Sequence, residues 1–349
     1  MPVERGEDGR RVFLSICVPT YNRAVKLARC LDQLGQIVAA SAWRGEIELV
    51  ISDNESTDGT PGVIASALGE LARHCPVRAY RQPANLGAEP NFRFLYERAR
   101  GEYVWICSDD DVVDAAEFER LVGDLHRFEP EVCISSFANP DSTKDRVVIP
   151  GGAEVLLVDD VEAAVLAMRR YGMVTQYVLR RRELSPEEQA VSEAASRGVV
   201  WFSALGVMLF TRRSPRLLLR AGELARDYAD GSRIRFSPRV YGMITDAVLL
   251  GLGDHPARAR LERALPVERP ETYLVGHLFR EVLGRGNMEP EVAREDFRYL
   301  LRHLAPVALM SWRNAVKVPV VLALFPVMHR IRARRAPTAV SGGRTQSEV

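Results

Sequence analysis

The densest chemistry in this 349-residue chain is Ser108-Asp109-Asp110-Asp111, three consecutive carboxylates directly after the apolar run 103–107 (YVWIC). Adjacent carboxylates repel one another, and no run of Lys or Arg follows to neutralise them. A hard divalent cation resolves that repulsion, because Mg²⁺ or Mn²⁺ prefers carboxylate oxygen and can bridge a diphosphate as well. The alternative is a solvated turn that caps the helix containing Phe118. Two further polar clusters end apolar runs in the same way: Pro19-Thr20-Tyr21-Asn22-Arg23, and Asp53-Asn54-Glu55-Ser56-Thr57-Asp58-Gly59-Thr60. Tyr21 either packs in the core or lies flat against a nucleobase. Asp53 and Asn54 are either turn formers or ligand contacts, and Asp58-Gly59-Thr60 reads as a tight turn followed by a helix N-cap. Asn85-Leu86-Gly87 reads as a loop with Gly87 at positive φ and an asparagine turned toward the same crevice.

The elements that must hold these clusters follow from hydrophobic spacing. Runs 13–18 (FLSICV), 47–51 (IELVI), 77–80 and 103–107 read as buried strands. Between them, Leu27, Leu31 and Leu34 share a helix face, and 61–71 and 90–99 carry further helices. This alternation predicts an α/β fold, a doubly wound and mainly parallel sheet with helices on both faces. In such a sheet ligands bind beyond the carboxyl ends of the strands, where strand order reverses, so the three polar clusters should converge on one crevice. Beyond Asp111 the spacing predicts a helix over 118–128, a strand over 132–136, a loop or hairpin over 138–152 and a helix over 161–170. The run 199–210 (VVWFSALGVMLF) reads as a strand bent at Gly206, and helices follow from Ser237.

Composition narrows the function classes. A hydrophobic share of 47% and a charged share of 27% describe an ordinary globular chain, and a net charge of +1 provides no field for nucleic acid. The five cysteines are scattered without a CxxC pair, which suits buried thiols in a reducing cytoplasm, and the six histidines show no metal spacing. Residues 1–10 are charged, without the apolar core of a signal peptide, and the polar tail 336–349 reads as disordered. The segment 306–328 is apolar but interrupted by Arg313, Lys317, Pro319 and Pro326, and a basic cluster follows to Arg335. It is either a helix lying on an anionic membrane surface or a buried helix with a basic end; a homodimer interface would use the same apolar face.

Taken in order, SICVPTYNR, ELVISDNESTDGT and RQPANLGAEPNFRFLYERARGEYVWICSDDD resemble the family 2 glycosyltransferases of the GT-A fold. The subgroup that looks most similar contains bacterial abequosyltransferase-like enzymes of surface-polysaccharide biosynthesis, with a fainter echo in WFSALGVMLFTRR. The resemblance implies a GT-A domain over 11–253, its nucleotide-sugar half at 11–135 and its acceptor half at 136–253, then a helical region over 254–335. It implies a donor linked to UDP, GDP, CDP or dTDP and a glycan or lipid-linked acceptor at the inner face of the cell membrane. Pro19, Thr20, Tyr21, Arg23, Asp53, Asn54 and Asn85 would border the nucleotide, with Asp53 accepting a hydrogen bond from base or ribose. The DxD region, Asp109 to Asp111, would hold Mn²⁺ or Mg²⁺ and through it the diphosphate. Asp109 with Asp111 matches D-x-D literally; alignment on the following apolar pair selects Asp110 with Asp111. The implied mechanism is inverting, with a carboxylate base. The usual Glu-Asp pair for that base is missing after 199–210, which leaves Asp230 first and Asp246 second. A nicotinamide-dependent oxidoreductase would need GxGxxG where this chain has VPTYNR, and the remaining alternative is a GT-A-like protein that binds nucleotide without catalysis.

Overall fold

A computed structural model describes residues 11–138, 146–198, 200–227, 239–264 and Val321. In it the first four apolar runs are strands: β1 (Leu14–Thr20), β2 (Ile47–Asp53), β3 (Val77–Arg81) and β4 (Tyr103–Ile106). Helices α1 (Ala24–Ala40), α2 (Thr60–Leu71) and α3 (Ala88–Arg98) alternate with them, and the four strands lie parallel in the order β3-β2-β1-β4. Because helices cover both faces, β2 and β4 are buried along their whole length. Even Glu48 is buried within β2, held by Ser15 Oγ at 2.6 Å, the Arg100 backbone N–H at 2.7 Å and Arg78 at 2.9 Å. Pro19 is accommodated in a central strand by register. Cys17 accepts from Cys107 on the β4 side, so Pro19 also faces that side, where β4 has already ended at Cys17↔Ile106.

The remaining strands make the sheet mixed. After β5 (Asp111–Val113), α4 (Ala115–Phe128) and β6 (Val132–Ala138), the chain forms β7 (Val155–Val158), α5 (Val161–Arg170), β8 (Tyr177–Arg180), α6 (Pro186–Gly198), α7 (Trp201–Arg212) and β9 (Leu217–Asp227). The full order is β3-β2-β1-β4-β8-β6-β9-β5, with β7 on β9; β8 runs antiparallel to both β4 and β6. The parallel expectation therefore holds for β1 to β4, and the antiparallel pairings begin with β5, on β9, and involve β7 and β8 as well. α8 (Arg239–Leu252) and α9 (Arg258–Ala264) follow.

One sequence expectation is overturned here. The run 199–210 is not a strand: α7 begins at Trp201, and every residue from Trp201 to Phe210 is buried. A helix that is apolar all round shows no 3.6-residue period, and only its length distinguishes it from a buried strand. α8 approaches it closely at Gly251, where a Cβ would stand 2.4 Å from the Ala204 carbonyl oxygen.

The chain divides into two units, residues 1–233 with 243–266 and residues 234–242 with 267–349, and the sheet lies entirely within the first. In the second, only 239–242 and Val321 are described. Residues 1–10, Asp230, the basic apolar stretch 306–335 apart from Val321, and the tail 336–349, for which the sequence raised expectations, lie outside the described residues. Among the described residues no helix is long and apolar enough to cross a membrane.

Candidate active site

Strand order reverses between β1 and β4, and the polar clusters lie at the carboxyl ends of those strands and of β2. The first two clusters are tied together. Asn22, in the left-handed region at φ 51°, donates its N–H to Ser56 Oγ at 2.8 Å, and its Oδ1 accepts from Thr57 N at 2.7 Å. The Arg23 and Ala24 N–H groups, at the start of α1, donate to Thr60 Oγ1 at 3.1 Å and Asp58 Oδ2 at 3.2 Å. Thr60 thus clamps the beginning of α1 and is not the N-cap of α2, which is Gly59, while Asp58 serves both helices, its Oδ1 accepting from Thr60 N at 3.0 Å.

The aspartate turn is not a solvated cap. Asp109, Asp110 and Asp111 are 2%, 5% and 5% exposed, and Asp114 caps α4 by accepting from Glu117 N. Contrary to the sequence reading, cations do neutralise the triplet, and they come from the N-cap and first turn of α1. Arg23 Nη1 lies 2.7 Å from Asp109 Oδ1 and 2.9 Å from Asp110 Oδ2, and Lys26 Nζ lies 3.4 Å from Asp110 Oδ2. Thr20 donates to Asp109 Oδ2 at 2.6 Å and Ser108 Oγ to Asp110 Oδ1 at 2.6 Å. Thr175, just before β8, donates to Asp111 Oδ2 at 2.5 Å and accepts from Ser108 N at 3.1 Å. Burial pushes the Asp109 carboxyl above its ordinary value, outweighing Arg23 and the Thr20 hydrogen bond.

Asp53 is 1% exposed; its Oδ1 accepts from Ser56 N at 2.9 Å, while Oδ2 accepts no hydrogen bond and stands 3.8 Å from Arg81 Nε. An unmet carboxylate oxygen beside the switch point is an acceptor waiting for a donor. Asn54 differs: both amide hydrogens are used, on Asn85 Oδ1 at 2.9 Å and the Gly87 carbonyl at 3.0 Å, and its Oδ1 accepts from Leu86 N at 3.0 Å. Asn54 and Asn85 therefore brace the 85–87 loop, where Gly87 has φ 89° as its sequence suggested. Tyr21 is 41% exposed, which rules out the core-packing reading. Pro19 is half-buried at the end of β1.

Two carboxylates named as bases fall differently. β9 leaves the sheet at Asp227, paired in register with Asp111, and Asp230 follows three residues later, outside the described residues. Asp246 is exposed on α8, which is linked to α5 through Arg169 Nε and Thr245 Oγ1 at 3.2 Å. Sequence reasoning missed Lys26 and Thr175. Lys26 could have been found, since it stands one helical turn after Arg23 and is one of only three lysines; nothing marks Thr175 before the fold is known.

The donor set suits a hard ion by chemistry, since it is entirely oxygen. Among the described residues, however, no group of three or more His, Cys, Asp or Glu side chains is arranged to hold a metal by itself. The residues fit an ion that takes one or two carboxylates here and completes its shell with ligand phosphate and water, as Mg²⁺ commonly does.

Residues 15–160 match the family model described as Glycosyl transferase family 2. Abequosyltransferase RfbV of Salmonella typhimurium is 34% identical over 102 residues, which is 29% of this chain and 29% of that protein. The chain thus spans less than two thirds of this curated relative. Among solved structures, S. aureus TarS 1-349 aligns with a TM-score of 0.52 at 13% identity, covering 93% of this chain and 92% of that one. The mannosyltransferase PcManGT from Pyrobaculum calidifontis, solved in complex with GDP-Man and Mn²⁺, aligns with a TM-score of 0.50 at 14% identity, over 97% of this chain and 92% of that one. Likeness at these identities establishes the GT-A fold alone.

Proposed function

We propose that this chain, whose residues 15–160 match the family model described as Glycosyl transferase family 2, transfers a sugar from a nucleoside-diphosphate sugar to an acceptor hydroxyl. The observation that carries the reading is the meeting of three loops at the switch point, with the unmet Asp53 Oδ2 on one side and the buried aspartate turn on the other. Tyr21 stacks on the base, and Asp53 accepts from the base or ribose. Asn54 and Asn85 act as positioning residues for the loop that borders the nucleotide. Arg23 and Lys26, half-exposed beside the aspartates, are placed to exchange a carboxylate for a phosphate oxygen.

Mn²⁺ or Mg²⁺, held through Asp111 with Asp109 or Asp110, would neutralise charge on the departing diphosphate. Asp230 is the base: chain connectivity keeps it within about 11 Å of Asp227, and Asp227 lies across from Asp111 in the ladder. Asp246 is the weaker choice, given its position on α8. With a base opposite the leaving group, transfer inverts the anomeric centre. The acceptor is a glycan or lipid-linked glycan in surface-polysaccharide synthesis. The basic apolar segment 306–335 would meet that acceptor at the inner membrane face or form a homodimer.

Calorimetry with UDP, GDP, CDP and dTDP, each with Mn²⁺ and with EDTA, tests the reading. One nucleotide should bind with Mn²⁺, weaken with EDTA and fail to bind Asp111→Ala, whereas Asp230→Asn should keep that binding and lose turnover. Nucleotide binding without turnover would leave the nucleotide-binding, non-catalytic reading in its place, and folded protein that binds none of the four would overturn both.

A further inference from the structure

At the opposite rim of the parallel strands lies a second polar cavity, of 820 Å³, formed where β1, β2, β3 and β4 begin. Arg11, Arg44, Arg73, Arg78, Arg100 and His74 line it, and no Asp or Glu does. Two of the arginines are compensated from behind, Arg11 by Glu102 and Arg78 by the buried Glu48. Arg78 still leaves a buried Nε without a partner. Arg44, Arg73 and Arg100 make no ion pair among the described residues. The Arg100 backbone is nevertheless fixed, because its N–H donates to Glu48 Oε1 at 2.7 Å.

Three unpaired guanidinium groups around one cavity repel each other, and the chain as a whole is nearly neutral at +1. The cavity is therefore a local accumulation of positive charge, the electrostatic condition for capturing an anion. Guanidinium groups present planar, paired donors that match the oxygens of phosphate as well as of carboxylate, and several of them around one cavity favour the more highly charged, many-oxygened phosphate. The site is separate from the aspartate turn. Ile47 lines the cavity and Asp53 belongs to the candidate active site, and as the two ends of β2 they stand about 20 Å apart. We propose that this rim cavity binds a phosphate-bearing anion, whether a free phosphorylated compound or the headgroup of an anionic lipid. The inference does not depend on the proposed transferase activity.

The test uses the full chain and inorganic pyrophosphate, titrated calorimetrically in EDTA so that no metal complex forms at the aspartate turn. Pyrophosphate should bind, and Arg44→Ser/Arg73→Ser/Arg100→Ser should weaken it by about tenfold or more, whereas Arg23→Ala should not. The exposed single change Arg73→Ser gives the same reading on a smaller scale if the triple variant fails to fold. Sedimentation with phosphatidylcholine vesicles, with and without phosphatidylglycerol, separates the sources. Binding only to the anionic vesicles, lost in the triple variant, identifies a headgroup; pyrophosphate binding without vesicle binding identifies a free phosphate. The proposal is overturned by binding of neither probe, or by loss in Arg23→Ala with the triple variant intact. It is equally overturned if pyrophosphate binds only after removal of residues 1–10, whose Glu4, Glu7 and Asp8 would then be the cavity's own anions.

Discussion

Asp53 and Asp109 show how differently two buried carboxylates can be held within one crevice. Asp53 keeps one oxygen for the loop and leaves the other without a donor. Asp53→Asn preserves the bond to Ser56 N but replaces the free acceptor with a donor facing Arg81. Nucleotide affinity should fall by roughly 10- to 100-fold, the value of a hydrogen bond to a charged group. Calorimetry with Mn²⁺ checks it; unchanged affinity would put Asp53 behind the site rather than in it. Asp109 is the reverse case, because its burial outweighs its partners and raises its pKa. A carboxyl whose folded pKa exceeds its ordinary value loses native stability as pH rises between the two. Asp109→Asn should therefore raise the melting temperature at neutral pH while weakening metal-dependent nucleotide binding, the trade expected of a site built for a ligand. A lower melting temperature would mean that the Arg23 and Thr20 contacts dominate instead.

At the scale of elements, the joint between α3 and α7 carries a titratable group. Glu89, in the first turn of α3, accepts from the Trp201 backbone N–H at 2.9 Å, where α7 begins. Burial pushes its carboxyl from 4.5 up to about 7, against the smaller effect of that hydrogen bond. Between those two values the unfolded chain releases a proton that the folded chain keeps, so stability should decline as pH rises from 4.5 to about 7 and level off above. Urea denaturation of wild type and Glu89→Gln across this window reads the effect: the variant should lack that part of the slope. Parallel slopes would mean that Glu89 is solvated in the native state. The same joint explains the misread segment. α7 is enclosed by α3, α5, α6 and the sheet, and that enclosure erased the periodicity by which a helix is recognised.

For the whole molecule, all five cysteines are free and buried, on two strands, one helix and two loops of the first unit. Burial pushes the Cys75 and Cys133 thiols up to about 12 and Cys17 well above its ordinary value, so thiolate is scarce at neutral pH. An aromatic disulfide reagent should modify essentially no thiol in the native protein and five after denaturation. Rapid native labelling would indicate frequent opening of the first half of the chain.

Strands β1 to β4, the helices between them and the convergence of the polar loops were legible in sequence, because a doubly covered parallel sheet demands continuous apolar runs and sends its polar residues to the carboxyl ends. The triplet's position after β4 was equally plain. Its electrostatic state was not: Arg23 and Lys26 stand more than eighty residues before the carboxylates they neutralise, and Thr175 more than sixty after. Nor could spacing show that Asn54 spends its amide on the 85–87 loop while Asp53 keeps an oxygen unmet. Local pattern records burial and period, which neighbouring residues share. Which charge meets which, and which acceptor is left over, depends on chain segments brought together only by the fold.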